Sequence, residues 1–454
     1  MVSFLQGAVS NVQVMTVSAG IVADAKAGRH EAAWAGMEKL LGVQRQQAFA
    51  ARYLVRIVDG GHLPREKALE VLEQVFAAHS RNKLLMGKLA AALSEARDID
   101  MLNLAPPTHP LFSQVVDTVG ELLKGSKARR TQVRLLDGLG TAARMMARQR
   151  DAVVERCGRA LIELQPQKSY HHYNLGLFFK TRGRFREGML ANQAAAARRG
   201  GSDEATDWNL GICATGAGEA AVALEVWKRL GNEIEIGRFG LPDGGYAGCK
   251  VRLAQRPLAE RDADTDDPGL EESIWIERLS PCHGIIRSVL FQDLGVNFGD
   301  VILFDGAPIT YHTYNGEQVP IFPHLATLVR NNYQVFDFAG TQEEKGQLAD
   351  ASQDLAADAV VYAHSESYVT LCAACWRDPE REHRHEDDGE KKTVIRGKVA
   401  APPGMEPREL LDQLDAAIVK RAPCRLYVPD LCEAAGLADR ASVERRRFNM
   451  VVGS

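Results

Sequence analysis

The sequence predicts an α + α/β protein, with an array of paired helices in the first half and a mixed, β-rich α/β domain in the second. Three observations carry that expectation. Apolar residues recur at helical spacing as far as Leu230. Glycine-rich and acidic stretches then interrupt the chain between Gly231 and Glu272. Beyond them, short apolar or alternating runs separated by Gly, Pro, Asn and Asp have the period of strands. The expected organisation is a helical region over 1–235, a connecting segment over 236–270 and an α/β domain over 271–454.

A chain of 454 residues is long enough for more than one core. Its formal net charge of -4 and pI near 6.3 give no global attraction to nucleic acid, so such a site would need a local basic patch, and none stands out. The opening MVSFLQGAVSNVQVMTVSAG lacks the basic leader and dense apolar run of a signal peptide. No stretch approaches the roughly 18 apolar residues of a membrane span. Eight scattered cysteines do not form a disulfide framework. These features point to a cytoplasmic protein with reduced thiols and with neither nucleic acid nor membrane as a partner.

In chain order, Ala25, Gly28, Ala32, Ala33, Met37, Leu40 and Leu41 follow a turn-and-helix pattern. Tyr53–Val58 closes a helix before the Gly60-Gly61 turn, and Pro64 opens the next, with Leu69, Leu72, Val75 and Phe76 on its apolar face. Pro106, Pro107 and Pro110 interrupt the run, after which Leu111–Leu123, Gln132–Met146 and Ala152–Leu164 read as helices.

The stretch Leu161–Asn192 has the spacing of helix, tight turn and helix. Taking Ser169 as the first residue of a repeat of about 34 residues, Leu175 and Gly176 form a Leu-Gly pair, Phe179 and Phe185 are aromatic positions, and Gly183 marks the turn. Trp208, Asn209, Leu210 and Gly211 echo Tyr173, Asn174, Leu175 and Gly176, with Gly218 at the next turn, then Ala223 and Trp227. A weaker upstream copy has Leu139 and Gly140 as its pair, with Ala143 and Arg156 where aromatics would stand. This stretch resembles the tetratricopeptide repeat. The resemblance implies an N-terminal α-solenoid of helix pairs whose first helices line a concave, ligand-binding face.

The second half reads as strands at Ser273–Leu279, Ile285–Phe291, Val301–Phe304, Ile309–Tyr314, Gln318–Phe322, Gln334–Phe338, Ala359–Ala363, Tyr368–Ala374, Thr393–Val399 and Cys424–Val428. Helices are expected at Glu343–Leu355 and Pro407–Lys420. One strand, Cys249–Gln255, falls inside the connecting segment. The charged run Arg377–Lys392 reads as a solvated loop.

The resemblance makes Tyr170, Tyr173, Asn174 and Leu177 in one repeat, with Ala205, Trp208, Asn209 and Ile212 in the next, the residues facing a partner protein or peptide. The Asn amides suit an extended backbone and the aromatics give contact area at little entropic cost. The competing account is that they pack between repeats. A basic clamp for a C-terminal carboxylate is absent, because Tyr170 and Ala205 stand where lysine would help.

Cys372 and Cys375 have a zinc-like C-x-x-C spacing, but they form a single pair, and in a strand residues three apart point to opposite faces. Completing a site would need Cys282, His283 or His364. Within Ser280-Pro281-Cys282-His283-Gly284, a Cys beside a His suggests a nucleophile and its base, although sequence neighbours rarely aim at each other. His312 and His324 are further candidate bases.

The Gly138–Ala143 motif and GELLKGSK at Gly120–Lys127 lie in helical surroundings, without the strand that a phosphate loop requires. The acidic run Glu260–Glu272 reads as a linker, with a decoy surface for a basic partner as its functional alternative. The overall expectation is non-enzymatic recognition of another protein, as an adaptor, chaperone-like protein or immunity-type inhibitor, without a cofactor or metal. The alternative is an enzyme or metal-binding protein whose site gathers Cys282, His364, Cys372 and Cys375.

Overall fold

The computed structural model describes residues 19–41, 65–93, 109–146, 148–200, 203–261, 266–356, 358–371, 374 and 390–452. The chain divides into two compact units. One comprises Met1–Glu233, Leu258–Asp267 and Ala307–Pro320; the other comprises Ile234–Pro257, Pro268–Gly306 and Ile321–Ser454. Both helices and sheets are present, so the α + β composition is as the sequence indicates. The expected Tyr53–Val58 helix, the Gly60-Gly61 turn, Pro64, Pro106 and Pro107 lie outside the described residues.

The first unit contains α1 (His30–Leu41), α2 (Arg65–His79), α3 (Lys83–Leu93), α4 (Pro110–Lys124), α5 (Arg129–Arg144), α6 (Asp151–Leu164), α7 (Ser169–Thr181), α8 (Phe185–Arg199), α9 (Glu204–Gly216) and α10 (Ala220–Arg229). Local chemistry sets their ends. His109 caps α4 by accepting from Leu111 N at 3.2 Å, with Pro110 in the first turn, where its missing N–H costs nothing. Asp203 caps α9 through Thr206 N at 3.1 Å.

Each helix from α4 to α10 packs on its successor, and α9 also meets α7. The Leu-Gly pairs permit this closeness. A Cβ on Gly176 would lie 2.5 Å from Asn192 Nδ2, and one on Gly211 would lie 2.5 Å from Trp227 Cζ2. Gly183 and Gly218, the expected turn glycines, have φ of +69° and +71°. Leu175, Phe178 and Phe179 build one core; Leu135, Leu139, Cys157 and Leu161 join a larger one.

Arg148 ties Leu258–Asp267 into this unit by donating to Asp266 Oδ1 at 3.2 Å and to the carbonyl of Leu258. Asp266 in the acidic run is therefore ion-paired, while Asp262 and Asp264 lie outside the described residues.

In the second unit the short strands β1 (Glu235–Ile236) and β2 (Pro242–Asp243) pair, and β3 (Cys249–Ala254) begins the main sheet. After it come β4 (Glu271–Arg278), β5 (His283–Ile286), β6 (Val301–Phe304), β7 (Thr310–Tyr314) and β8 (Glu317–Val329). β3, β4, β5, β6 and β8 pair antiparallel in that order, and β8 returns to β3 in parallel, which closes five strands into a barrel. Val251, Leu253, Ile276, Ile286, Ile302 and Phe304 fill it. β7 and the start of β8 form a hairpin over Asn315-Gly316, both at positive φ as this turn requires, and the hairpin groups with the first unit.

A second sheet has the order β10 (Val360–Leu371), β11 (Glu390–Ala401), β9 (Gln334–Gln342) and β12 (Arg425–Tyr427). On it lie α12 (Pro429–Ala434) and α13 (Ala438–Val452), while α11 (Pro407–Val419) packs on α12.

Several sequence expectations change here. The helix expected over Glu343–Leu355 shrinks to a 3-10 turn at Ala349–Asp354, because Glu343 N and Glu344 N both donate to Gln347 Oε1 at 3.2 Å and Gly346 has φ of +91°. The strands expected at Ala359–Ala363 and Tyr368–Ala374 are one edge strand, β10, with a bulge at Ala363/Ser365. Exposed Ser365, Glu366 and Ser367 at its centre erase the alternation. Ile285–Phe291 is a strand only to Ile286; Phe291 N and Gln292 N turn to the Glu272 carboxylate at 3.2 and 2.9 Å. Glu390, Lys391 and Lys392 belong to β11 rather than to the charged loop, whose residues 377–389 lie outside the described residues. Among the described residues no helix is long and apolar enough to cross a membrane.

Candidate ligand groove on the helical unit

Repeat spacing selected one face of α7 and α9, and the structure divides the residues named there into two groups. Tyr170 is 44% exposed, Asn174 is exposed, and Tyr173, Leu177 and Trp208 are half-buried. By contrast Asn209 is 7% and Ile212 1% exposed, so the helices themselves cover both. Asn209 Oδ1 accepts from Lys180 Nζ at 2.7 Å, and its amide donates to the Tyr173 hydroxyl at 3.3 Å and to Ala205 O at 2.8 Å. Asn209, expected to face a peptide backbone, is thus bonded within the protein. Its amide is already engaged, and Ile212 belongs to the core. Trp208 packs edge-on against Trp227 with centroids 5.2 Å apart and stays half-buried.

Beside Asn174 a cavity of about 210 Å³ opens between three helices. Its walls are Asp137, Gly140, Thr141 and Arg144 from α5, Val154, Gly158 and Leu161 from α6, and Asn174, Leu175 and Phe178 from α7. The volume is below the roughly 300 Å³ at which small-molecule sites begin, so the space suits side chains rather than a cofactor.

Two charged groups set its electrostatics. Burial, reinforced by nearby Arg182 and opposed by the Tyr173 hydroxyl, pushes the Arg144 guanidinium below its ordinary pKa. Burial likewise raises the Asp137 carboxyl, while Lys88 acts in the opposite direction. Neither side chain forms an ion pair among the described residues. Arg182, by contrast, is held in a two-pronged pair with Asp151, at 3.0 Å from Nη2 to Oδ1 and from Nε to Oδ2. By surface accessibility Arg144 is half-buried and Asp137 exposed, and both side chains line the cavity.

Sequence reading missed Asp137, Thr141 and Arg144. Their spacing of four and then three residues does place them on one face of α5, and that is the signal that could have found them. A larger depression of about 770 Å³ between α4, α5 and α6 has a more apolar lining, including Val116, Leu123, Leu136 and Val153, and contains none of the residues expected to face a partner.

Of the alternative site in the second unit, only Cys282 and His364 lie within the described residues. Cys282 has no exposed surface and lies 3.8 Å from Ser280 Oγ, a hydroxyl that accepts from Cys282 N and His283 N at 3.2 Å each. His283 is equally buried, and loss of solvent lowers its pKa to about 4. The motif is therefore the interior of a strand turn. His364 stands elsewhere, between the rings of Phe291 and Tyr362 at 5.7 and 5.1 Å. His324 is buried on β8, and His312 is exposed on β7. Cys372 and Cys375 lie outside the described residues. Among the described residues no three His, Cys, Asp or Glu side chains converge as a metal ion would require.

No family model matches the chain, and no curated protein matches it. Among solved structures, one described as a functional characterisation of Pseudomonas aeruginosa pilF is similar at 14% identity and a TM-score of 0.35, covering 48% of this chain and 91% of that one.

Proposed function

We propose that the protein recognises a segment of another protein in the groove along α5, α7 and α9, without catalysing a reaction. In this reading residues 1–235 form a solenoid of tetratricopeptide-like helix pairs, residues 236–270 connect it to an α/β domain over 271–454, and the protein acts in the cytoplasm. Tyr170, Tyr173, Asn174, Leu177 and Trp208 offer the accessible contact surface, with Asn174 available to bond the ligand backbone. Asn209 and Ile212 support it from beneath. Asn209 fixes the Tyr173 hydroxyl and Lys180, and Ile212 backs the helix that carries Trp208.

The observation that carries this reading is the cavity beside Asn174, lined by Asp137 and Arg144, which form no ion pair among the described residues. A rigid helical floor with a few aromatic anchors binds at low entropic cost, and the polar groups supply register.

Photo-crosslinking tests it. A benzophenone amino acid replaces Asn174 in the groove or, as control, Leu190 on α8, which is 56% exposed. In the protein's own cells, position 174 should give one dominant crosslinked protein that position 190 does not give. A single stoichiometric product favours a dedicated inhibitor, and several products favour an adaptor. No adduct at 174, or the same adducts from both positions, overturns the groove assignment.

A further inference from the structure

Building on the groove reading, we propose that the cavity selects a dipolar stretch of the partner chain. A basic side chain sits at the Asp137 end, an acidic side chain at the Arg144 end, and an apolar residue bridges them.

Asp137 and Arg144 are both on α5, seven residues apart, a spacing that returns to the same face after nearly two turns. At 1.5 Å of rise per residue their backbones stand about 10.5 Å apart along the helix. An extended peptide advances about 3.3 Å per residue, so the matching charges fall two to four positions apart once side-chain reach is included.

The two groups do not neutralise each other, since no ion pair joins them among the described residues. Arg182, the cation next to Arg144, is already paired with Asp151. Between the two ends the lining is apolar, with Val154, Leu161 and Phe178. Exposed Asn174 can hold the intervening peptide bond. Asp137 is exposed in the free protein, and a ligand carrying only an acidic group would cover it without pairing it. One carrying only a basic group would do the same to Arg144. The pair together answers both costs.

The test is panning of a random dodecapeptide phage library against the full chain and, in parallel, against an Asp137→Lys/Arg144→Glu variant. Circular dichroism and thermal unfolding confirm that both are folded. Asp137→Asn/Arg144→Gln serves as a second variant if the reversal does not fold. Wild type should enrich peptides with opposite charges two to four residues apart, and the reversed variant should enrich peptides with that order inverted. The neutral variant should bind the wild-type peptides at least about ten-fold more weakly. Enriched peptides with no charge pair, or the same peptides on wild type and reversed variant, overturn this inference while leaving the groove in place. Failure to enrich any peptide that Asn174→Arg displaces overturns the groove reading with it.

Discussion

Gly211→Ala probes the helix packing beneath Trp208. A Cβ there would lie 2.5, 2.7 and 2.8 Å from Cζ2, Cη2 and Cε2 of Trp227, about 1 Å inside ordinary contact. Trp227 has little freedom to yield. It has no exposed surface, its Nε1 lies 3.5 Å from Thr215 Oγ1, and its ring meets Trp208. Overpacking of this kind costs about 1–3 kcal/mol, and replacing a helical glycine returns about 1 kcal/mol. The net expectation is a loss of about 1 kcal/mol. Gly120→Ala on α4 is the control, since no heavy atom stands within 4 Å of its Cβ position, and it should gain about 0.5–1 kcal/mol. At about 2–4 °C per kcal/mol for a unit of this size, thermal unfolding should move down for the first variant and up for the second. Equal or greater stability of Gly211→Ala would refute the claim that the Leu-Gly pairs exist to let helices meet.

Other outcomes follow from the same geometry. Arg229 grips Asp207, which is 2% exposed, at 2.8 and 3.1 Å; Arg229→Met leaves a buried carboxylate unpaired and should cost about 1–3 kcal/mol in urea unfolding, with Asp207→Asn in the same background restoring part of the loss. His283 and His324 are held neutral with folded pKa values of about 4, below the unfolded value near 6.5. The unfolded chain therefore gains protons first, and stability present at pH 7 is lost as pH falls from about 6.5 toward 4, by about 1–2 kcal/mol per residue at pH 5. Urea midpoints should fall across that window, and His324→Leu should flatten the slope. Ser280→Ala removes the acceptor of two buried N–H groups and should destabilise by about 1–3 kcal/mol, read by the same unfolding assay. Cys157, Cys213, Cys249, Cys282, Cys424 and Cys432 are buried thiols, so a colourimetric disulfide reagent should label them only after denaturant is added.

The sequence disclosed helices wherever local chemistry and burial act together. Gly183 and Gly218 sit at positive φ as their turn positions imply, while Pro110, read as an interruption, is the first residue of α4. The limits were equally physical. A helical period says that Asn209 and Ile212 share a face with Trp208, but it does not say that Lys180 of α7 engages the Asn209 amide or that Ile212 is buried. Asp137 and Arg144 share a face of α5 by their spacing, but each is ordinary on one helix. Their significance comes from α6 and α7 closing around them. In the second unit, barrel closure by parallel β3 and β8 depends on residues some seventy positions apart, beyond the reach of any local pattern. The exposed edge strand β10 reads as a loop at its centre for the same reason: its partner, not its own alternation, makes it a strand.

The most direct test of the central claim is the dissociation constant of the segment crosslinked at position 174, measured by fluorescence polarisation against wild type and Asn174→Arg. Asn174 is exposed, so the larger side chain fills the groove without entering a core. A rise in Kd of at least about ten-fold, with unchanged thermal unfolding, is the predicted result and corresponds to about 1.4 kcal/mol. An unchanged Kd would place the binding surface elsewhere and contradict the account.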